Sequence, residues 1–147
     1  EWNYKSELDW ELLQFDCHRQ MQDCVKDLNG LYKNEPALHE LQYNTKGFEW
    51  IDLNHRSESV VAYMRKGKNK NNDMLIVLNL TPVVRRDWKI KVKGKATWTE
   101  VFNSDSVQYW GTGNVFNPSP QVTLVDKKKG IYEINIHLPA LGGVVFR

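Results

Sequence analysis

Gly47-Phe48-Glu49-Trp50-Ile51-Asp52-Leu53 is where the chain changes period. Ahead of it, apolar residues recur at the three-and-four spacing of a helix; behind it, they alternate. Read as a strand, Ile51 and Leu53 take one face and Phe48, Trp50 and Asp52 the other, because successive side chains point to opposite sides. That reading sets an aspartate beside a tryptophan, and an aromatic next to a carboxylate on the less apolar face of a strand can make a flat platform for a sugar ring. Simple packing of Trp50 is the alternative use of the same ring.

Working back from this stretch, Asp16 is placed to cap a long helix reaching about Asn34. Met21, Cys24, Val25, Leu28, Leu31 and Tyr32 form its single apolar stripe. Pro36 ends that helix or begins a short turn through Glu40. A shorter helix is expected from Ser6-Glu7-Leu8-Asp9, with Trp10, Leu12 and Leu13 as its buried side. Working forward, strands are expected at Phe48 to Leu53, Val60 to Arg65, Met74 to Leu80, Trp88 to Val92, Thr97 to Asn103, Tyr132 to Leu138 and Gly143 to Phe146. The run Met74-Leu75-Ile76-Val77-Leu78 is apolar on both faces and reads as a central strand. Trp88, Ile90 and Val92 alternate with lysines, so that strand has one wet face. Short strands with no helices among them indicate a mainly β protein, an antiparallel β-sandwich, with helices in front. Between Asn103 and Gln121 the alternation fails, leaving a long loop that holds Tyr109, Trp110 and Phe116. Loops of that length are functional or disordered, and three aromatics argue against disorder.

The 147 residues suit one domain, or one domain plus a piece of another, and can bury about two-thirds of their unfolded surface. Six tryptophans, six tyrosines and five phenylalanines make the chain aromatic-rich, while a net charge of +2 does not call for a nucleic-acid partner. The lysine runs near Lys66 and Lys127 sit beside turn residues and read as solvated hairpin tips. Cys17 and Cys24 lie roughly 10 Å apart along a helix, too far for a disulfide. Unpaired thiols and the lack of a membrane-length apolar run suggest a soluble, cytoplasmic protein with no membrane partner. The sequon Asn79-Leu80-Thr81 is then accidental. The opening at Glu1-Trp2 reads as an excised piece of something longer.

No nucleophile elbow, phosphate loop or C-x-x-C is present, and histidines at 18, 39, 55 and 137 are too scattered for a metal cluster, so neither metal nor cofactor is expected. His39-Glu40 fits a capping or interface role. Glycoside chemistry needs two carboxylates about 5 Å apart or somewhat more. Glu49 with Asp52, and Glu100 with Asp105, are the pairs available, but acidic residues on wet strand faces are commonplace and no catalytic residue is assigned. Trp50, Trp98, Tyr109 and Trp110 are the aromatic candidates for a sugar face; Trp98, alternating with Phe102, reads as core.

The order and spacing of many short motifs resemble the C-terminal end of bacterial 1,4-α-glucan (glycogen) branching enzymes, of the α-amylase superfamily. The likeness runs through Trp2-Asn3, Leu8-Asp9-Trp10, His18, Asp27-Leu28-Asn29, Pro36-Ala37-Leu38-His39-Glu40 and Gly47-Phe48-Glu49-Trp50-Ile51. It continues through Asn79 with Thr81-Pro82, Arg85, Trp98 with Glu100, Asn103, Asp105-Ser106, Tyr109, Gly111 and Leu138-Pro139. The chain departs from the pattern at Arg19, Leu80, Trp88, Trp110 and Ala140; Trp110 alters the long loop, where glycine is usual.

The resemblance implies that residues 1–41 are the helical end of a catalytic (β/α)8 barrel and residues 42–147 an all-β C-terminal domain of the α-amylase type. It implies a parent glycosyltransferase of glycogen biosynthesis that cleaves an α-1,4 linkage through a covalent glucosyl intermediate and transfers the chain to a 6-hydroxyl. The catalytic carboxylates would lie upstream. Within this chain it implies a non-catalytic domain that stabilises the barrel and adds a remote surface for α-1,4-glucan or glycogen, with Trp50, Glu49, Asp52, Tyr109 and Trp110 as candidates. His18, His39, Glu40, Arg85 and Asp105 are candidate interdomain contacts with the upstream barrel. A purely structural module and an independent carbohydrate-binding module are the alternatives.

Overall fold

Strand β1 (Phe48–Asp52) begins at the change of period and opens a series of eight: β2 (Val60–Arg65), β3 (Met74–Asn79), β4 (Arg85–Lys93), β5 (Glu100–Asn103), β6 (Gln121–Asp126), β7 (Ile131–Leu138) and β8 (Gly142–Phe146). The computed structural model describes residues 3–147, so the readings made at Glu1 and Trp2 lie outside the described residues. The strands form two antiparallel sheets, one in the order β1-β2-β3-β8-β5 and one in the order β4-β7-β6.

Alternation places the core between these sheets. Val60, Ala62 and Met64 of β2, Leu75 and Val77 of β3, and Val144 and Phe146 of β8 face Ile90 and Val92 of β4 and Ile134, Ile136 and Leu138 of β7. Trp98 is buried in the same core. β3 is central in the larger sheet and apolar on both sides, because Met74 and Ile76 pack on the outer face against Ala37, Leu31 and Leu38. Lys89, Lys91 and Lys93 stay exposed.

Asn79 holds the two sheets to each other. Its side chain is wholly buried, and Nδ2 donates to the Val83 carbonyl at 2.8 Å and the Pro139 carbonyl at 2.7 Å. Val83 lies in the crossing from β3 to β4 and Pro139 in the return from β7 to β8, so one amide ties two of the passages between sheets. With its nitrogen so engaged, the sequon at Asn79 offers no acceptor for a glycan.

Strand β6 was not expected from the sequence. It is an edge strand exposed at most positions, so no buried face marks it, although the Lys127-Lys128-Lys129 tip joins it to β7 as a hairpin. The helices also differ from expectation. The first is a 3-10 turn at Trp10–Gln14 without a side-chain cap, not a helix from Ser6. Helix α1 (Asp16–Asn34) is preceded by Phe15 in extended conformation, and Asp16 takes the first helical position, where it accepts from Arg19. Pro36 opens helix α2 (Pro36–His39).

Neither helical element buries its stripe. Trp10 is 60% and Met21 61% exposed; Leu12, Phe15, Val25, Leu28 and Tyr32 are exposed as well. α1 meets the sheet along one edge of that stripe only, where half-buried Leu31 joins the outer-face cluster. Trp10, Leu12 and Leu13, expected to be buried, therefore are not.

Candidate functional site

The aromatic candidates divide between the two edges of the larger sheet. At the β1 edge, Trp50 stands opposite Tyr63 and two residues from Phe48, so all three rings share the outer face. Phe48 stacks on Tyr63 with centroids 5.4 Å apart, and Trp50 meets both edge-on at 4.8 and 6.0 Å. Trp50 is 54% exposed. Partial burial pushes the Tyr63 phenol above its ordinary range.

The carboxylates expected beside Trp50 are elsewhere. The register slips between Trp50 and Asp52, where Trp50 pairs with Tyr63 and Asp52 with Ala62, so Ile51 is the extra residue of a β-bulge. Asp52 therefore shares the face of Ala62, not that of Trp50. There it accepts from the Asn54 amide at 2.9 Å and lies 2.9 Å from His55 Nε2. The His55 ring meets Trp88 of the opposite sheet, with centroids 4.6 Å apart. Glu49, by alternation also turned from Trp50, pairs with Lys66. The platform is thus three rings without an acid.

Tyr109 and Trp110 follow β5, at the far edge of the same sheet, four strand spacings or roughly 19 Å from β1. They do not join Trp50. The Tyr109 hydroxyl donates to Asp27 Oδ2 at 2.7 Å and its ring stacks on Phe102, so the long loop is fastened to helix α1. Burial, and then the bond to Asp27, push its phenol up to about 12. Trp110 is exposed in left-handed conformation, φ 65°. Asp105 orders the loop by accepting from the Thr112 amide at 2.8 Å and the Thr112 hydroxyl at 2.7 Å. Gly111 passes so close that a Cβ there would lie 2.2 Å from the Asp105 carbonyl carbon. Glu100 is equally committed, accepting from Asn103 and from both nitrogens of Asn117. Neither carboxylate pair is left with free oxygens facing a common space, as an acid–base pair requires.

Of the other candidates, Glu40 accepts from the Lys68 amide at 3.0 Å, joining the α2 segment to the sheet. His39 packs edge-on against Tyr32, and exposed His18 lies against Phe15. Arg85 reaches the Glu58 carbonyl and the Thr81 hydroxyl, both at 3.4 Å, inside the β-domain. Among the described residues no group of three or more His, Cys, Asp or Glu can hold a metal, and no helix is long and apolar enough to cross a membrane. Reading the residues one by one missed Tyr63 and Asp27; each acts through a partner distant in sequence, and only the register or the helix placement reveals it.

A cavity of about 400 Å³ lies between the helices and the outer face of the larger sheet, walled by Leu28, Leu31, Tyr32, Tyr63, Ile76 and Phe102 among others. It is apolar and adjoins the exposed stripe of α1.

The profile of the family described as Alpha amylase, C-terminal all-beta domain, matches residues 50–147. The 1,4-alpha-glucan branching enzyme GlgB of Nitrosomonas eutropha is 42% identical over 146 residues, which are 99% of this chain and 20% of that protein. GlgB of Aquifex aeolicus is 42% identical over 113 residues, 77% of this chain and 18% of its own, and GlgB of Oceanobacillus iheyensis 38% over 148 residues, 100% and 23%. The chain thus spans about a fifth of the length of the curated relatives it matches. A crystal structure of alpha-amylase from H. orenii aligns with a TM-score of 0.46 at 21% identity over 99% of this chain and 27% of that one.

Proposed function

This chain belongs to the family of α-amylase C-terminal all-β domains, and on that premise we propose that it serves a 1,4-α-glucan branching enzyme as a non-catalytic C-terminal domain. In this reading residues 1–41 are the helical end of the catalytic barrel and residues 42–147 the domain that stabilises it. The observation that carries it is the uncovered stripe of Trp10, Phe15, Met21, Val25, Leu28 and Tyr32. Apolar surface of this kind, continuous with an apolar cavity, marks an interaction face. Glu40, Arg65 and Tyr109 lock the helices onto the sheet from the other side, so the stripe is presented as a fixed surface. The partner is the catalytic part of the same polypeptide, and the location is the cytoplasm, which two free thiols support.

Sedimentation of the 147-residue chain tests this. Concentration-dependent self-association, abolished by Met21→Glu with Val25→Glu and by fusion to the catalytic part of a branching enzyme, is expected. A monomer at every concentration that binds no apolar dye would refute it.

A second reading is favoured by the ring cluster of Phe48, Trp50 and Tyr63. Its exposed tryptophan offers a stacking face to an α-glucan away from the catalytic centre, raising the local concentration of a long chain. Trp50→Ala should then weaken retardation of the chain in glycogen-containing gels, and unchanged retardation would remove Trp50 from the site.

A further inference from the structure

We propose that one end of the sandwich, where three lysine-bearing turns meet, binds a linear polyanion whose charge lies in a phosphate backbone, with inorganic polyphosphate as its simplest form. The three turns are remote in sequence. Residues 66–73 join β2 to β3, residues 94–99 join β4 to β5, and residues 127–130 join β6 to β7. The fold fastens the outer two to the middle one. The Gly94 amide donates to the Gly130 carbonyl at 2.9 Å, and Lys95 Nζ donates to the Asn71 and Asp73 carbonyls at 3.5 and 3.3 Å.

Lys68 and Lys70 on the first turn, Lys93 at the entry to the second, and Lys127, Lys128 and Lys129 on the third are all exposed. Among the described residues none of these six forms an ion pair. The acids beside them are committed elsewhere. Glu49 pairs with Lys66, Glu133 with Lys89, and Glu35 with Arg147. Asp73 accepts from the Gly67 amide at 3.2 Å, Asp126 from the Lys129 amide at 3.0 Å and Glu40 from the Lys68 amide at 3.0 Å. A chain whose net charge is only +2 thus gathers six unpaired ammonium groups at one end. Their mutual repulsion opposes folding, and a bound polyanion removes it.

The chemistry of the three turns narrows the ligand. Trp98, their one aromatic residue, is buried, so no ring is offered for nucleic-acid bases to stack on. Ala96 is their one exposed apolar residue, so nothing is long enough to enter a lipid bilayer. An acidic peptide would gain from backbone pairing at a strand edge, but these residues are turns and the Gly94 amide is already bonded. What is left is lysine alone, a point charge that recognises phosphate without demanding a set geometry.

Fluorescence anisotropy of end-labelled polyphosphate, titrated with the 147-residue chain over a range of salt concentrations, tests the surface. On the scale for single strands, six neutralised phosphates give a slope of log K against log salt of about −4. Replacing Lys127, Lys128 and Lys129 together by glutamine should bring that slope to about −2 and weaken binding by about tenfold or more. Replacing Lys5, Lys26 and Lys33 by glutamine removes the same charge from the helical front and should stay within about twofold of the unaltered chain. Equal weakening by the two triple variants would overturn the site, since attraction would then follow net charge alone. Polyglutamate, oligodeoxythymidine or phosphatidylserine vesicles bound more tightly than polyphosphate would overturn the choice of ligand. Absence of polyphosphate binding at low salt overturns the proposal outright and leaves the docking role, read from self-association, untouched.

Discussion

Replacing Asn79 by alanine should destabilise this protein more than any surface change, because one side chain ties together two of the crossings between its sheets. The substitution strands the Val83 and Pro139 carbonyls, bonded by Nδ2 at 2.8 and 2.7 Å, and releases the Thr81 amide and hydroxyl from Oδ1 at 3.2 and 2.8 Å. Thr81 is only half-buried and can turn to water, so the two carbonyls dominate. At roughly 1–3 kcal/mol for each stranded group, the loss is about 3 kcal/mol. For a chain of this size that lowers the melting temperature by about 6–12 °C. Asn79→Asp separates hydrogen bonding from shape. It sets a carboxyl oxygen against the same two carbonyls, so the buried acid must hold a proton to donate, and its pKa rises above the unfolded value. A group with a raised pKa contributes most below its unfolded pKa and loses that contribution as pH rises through the folded one. The deficit of Asn79→Asp should accordingly grow between pH 4 and pH 7, while that of Asn79→Ala stays flat. Calorimetric melting at both pH values measures this. A drop under about 2 °C for the alanine variant, on the same size scaling, would refute the reasoning, since it would mean that the two carbonyls find water without cost.

Tyr109, with its phenol at about 12 against an ordinary 10.0, stabilises the loop most fully below pH 10 and loses that contribution as pH rises through 12. Subtracting the tyrosinate absorbance titration of Tyr109→Phe from that of the unaltered chain should leave a single step near pH 12; a step near pH 10 would show that the Asp27 bond is not kept in solution. Gly111→Ala drives a Cβ into the Asp105 backbone and should cost about 1–3 kcal/mol, with hydrogen-exchange protection lost from residues 104–120 and retained in β3. Uniform protection in both segments would mean that the loop yields without unfolding.

Much of the architecture was legible because it rests on local repetition. The stripe of α1 predicts its span closely, Pro36 its end, and the doubly apolar run Met74 to Leu78 the middle of a sheet. Each signal lies within one element and needs no partner. β6 was illegible for the complementary reason: as an exposed edge it has no buried face to leave a pattern, and only its hydrogen bonds to β7 define it. The site was read less completely. Trp50 and Tyr109 stand out as aromatics, but whether they share a surface depends on strand order, which places β1 and β5 at opposite edges.

The stretch from Gly47 to Leu53 separates the two kinds of information. Its composition alone determined that helix gives way to strand there, because period is a property of consecutive residues. Which side chains accompany Trp50 was decided only by the pairing of β1 with β2. There the extra residue Ile51 turns Asp52 to the opposite face, and Tyr63, thirteen positions away, takes the place that alternation had assigned to the acid.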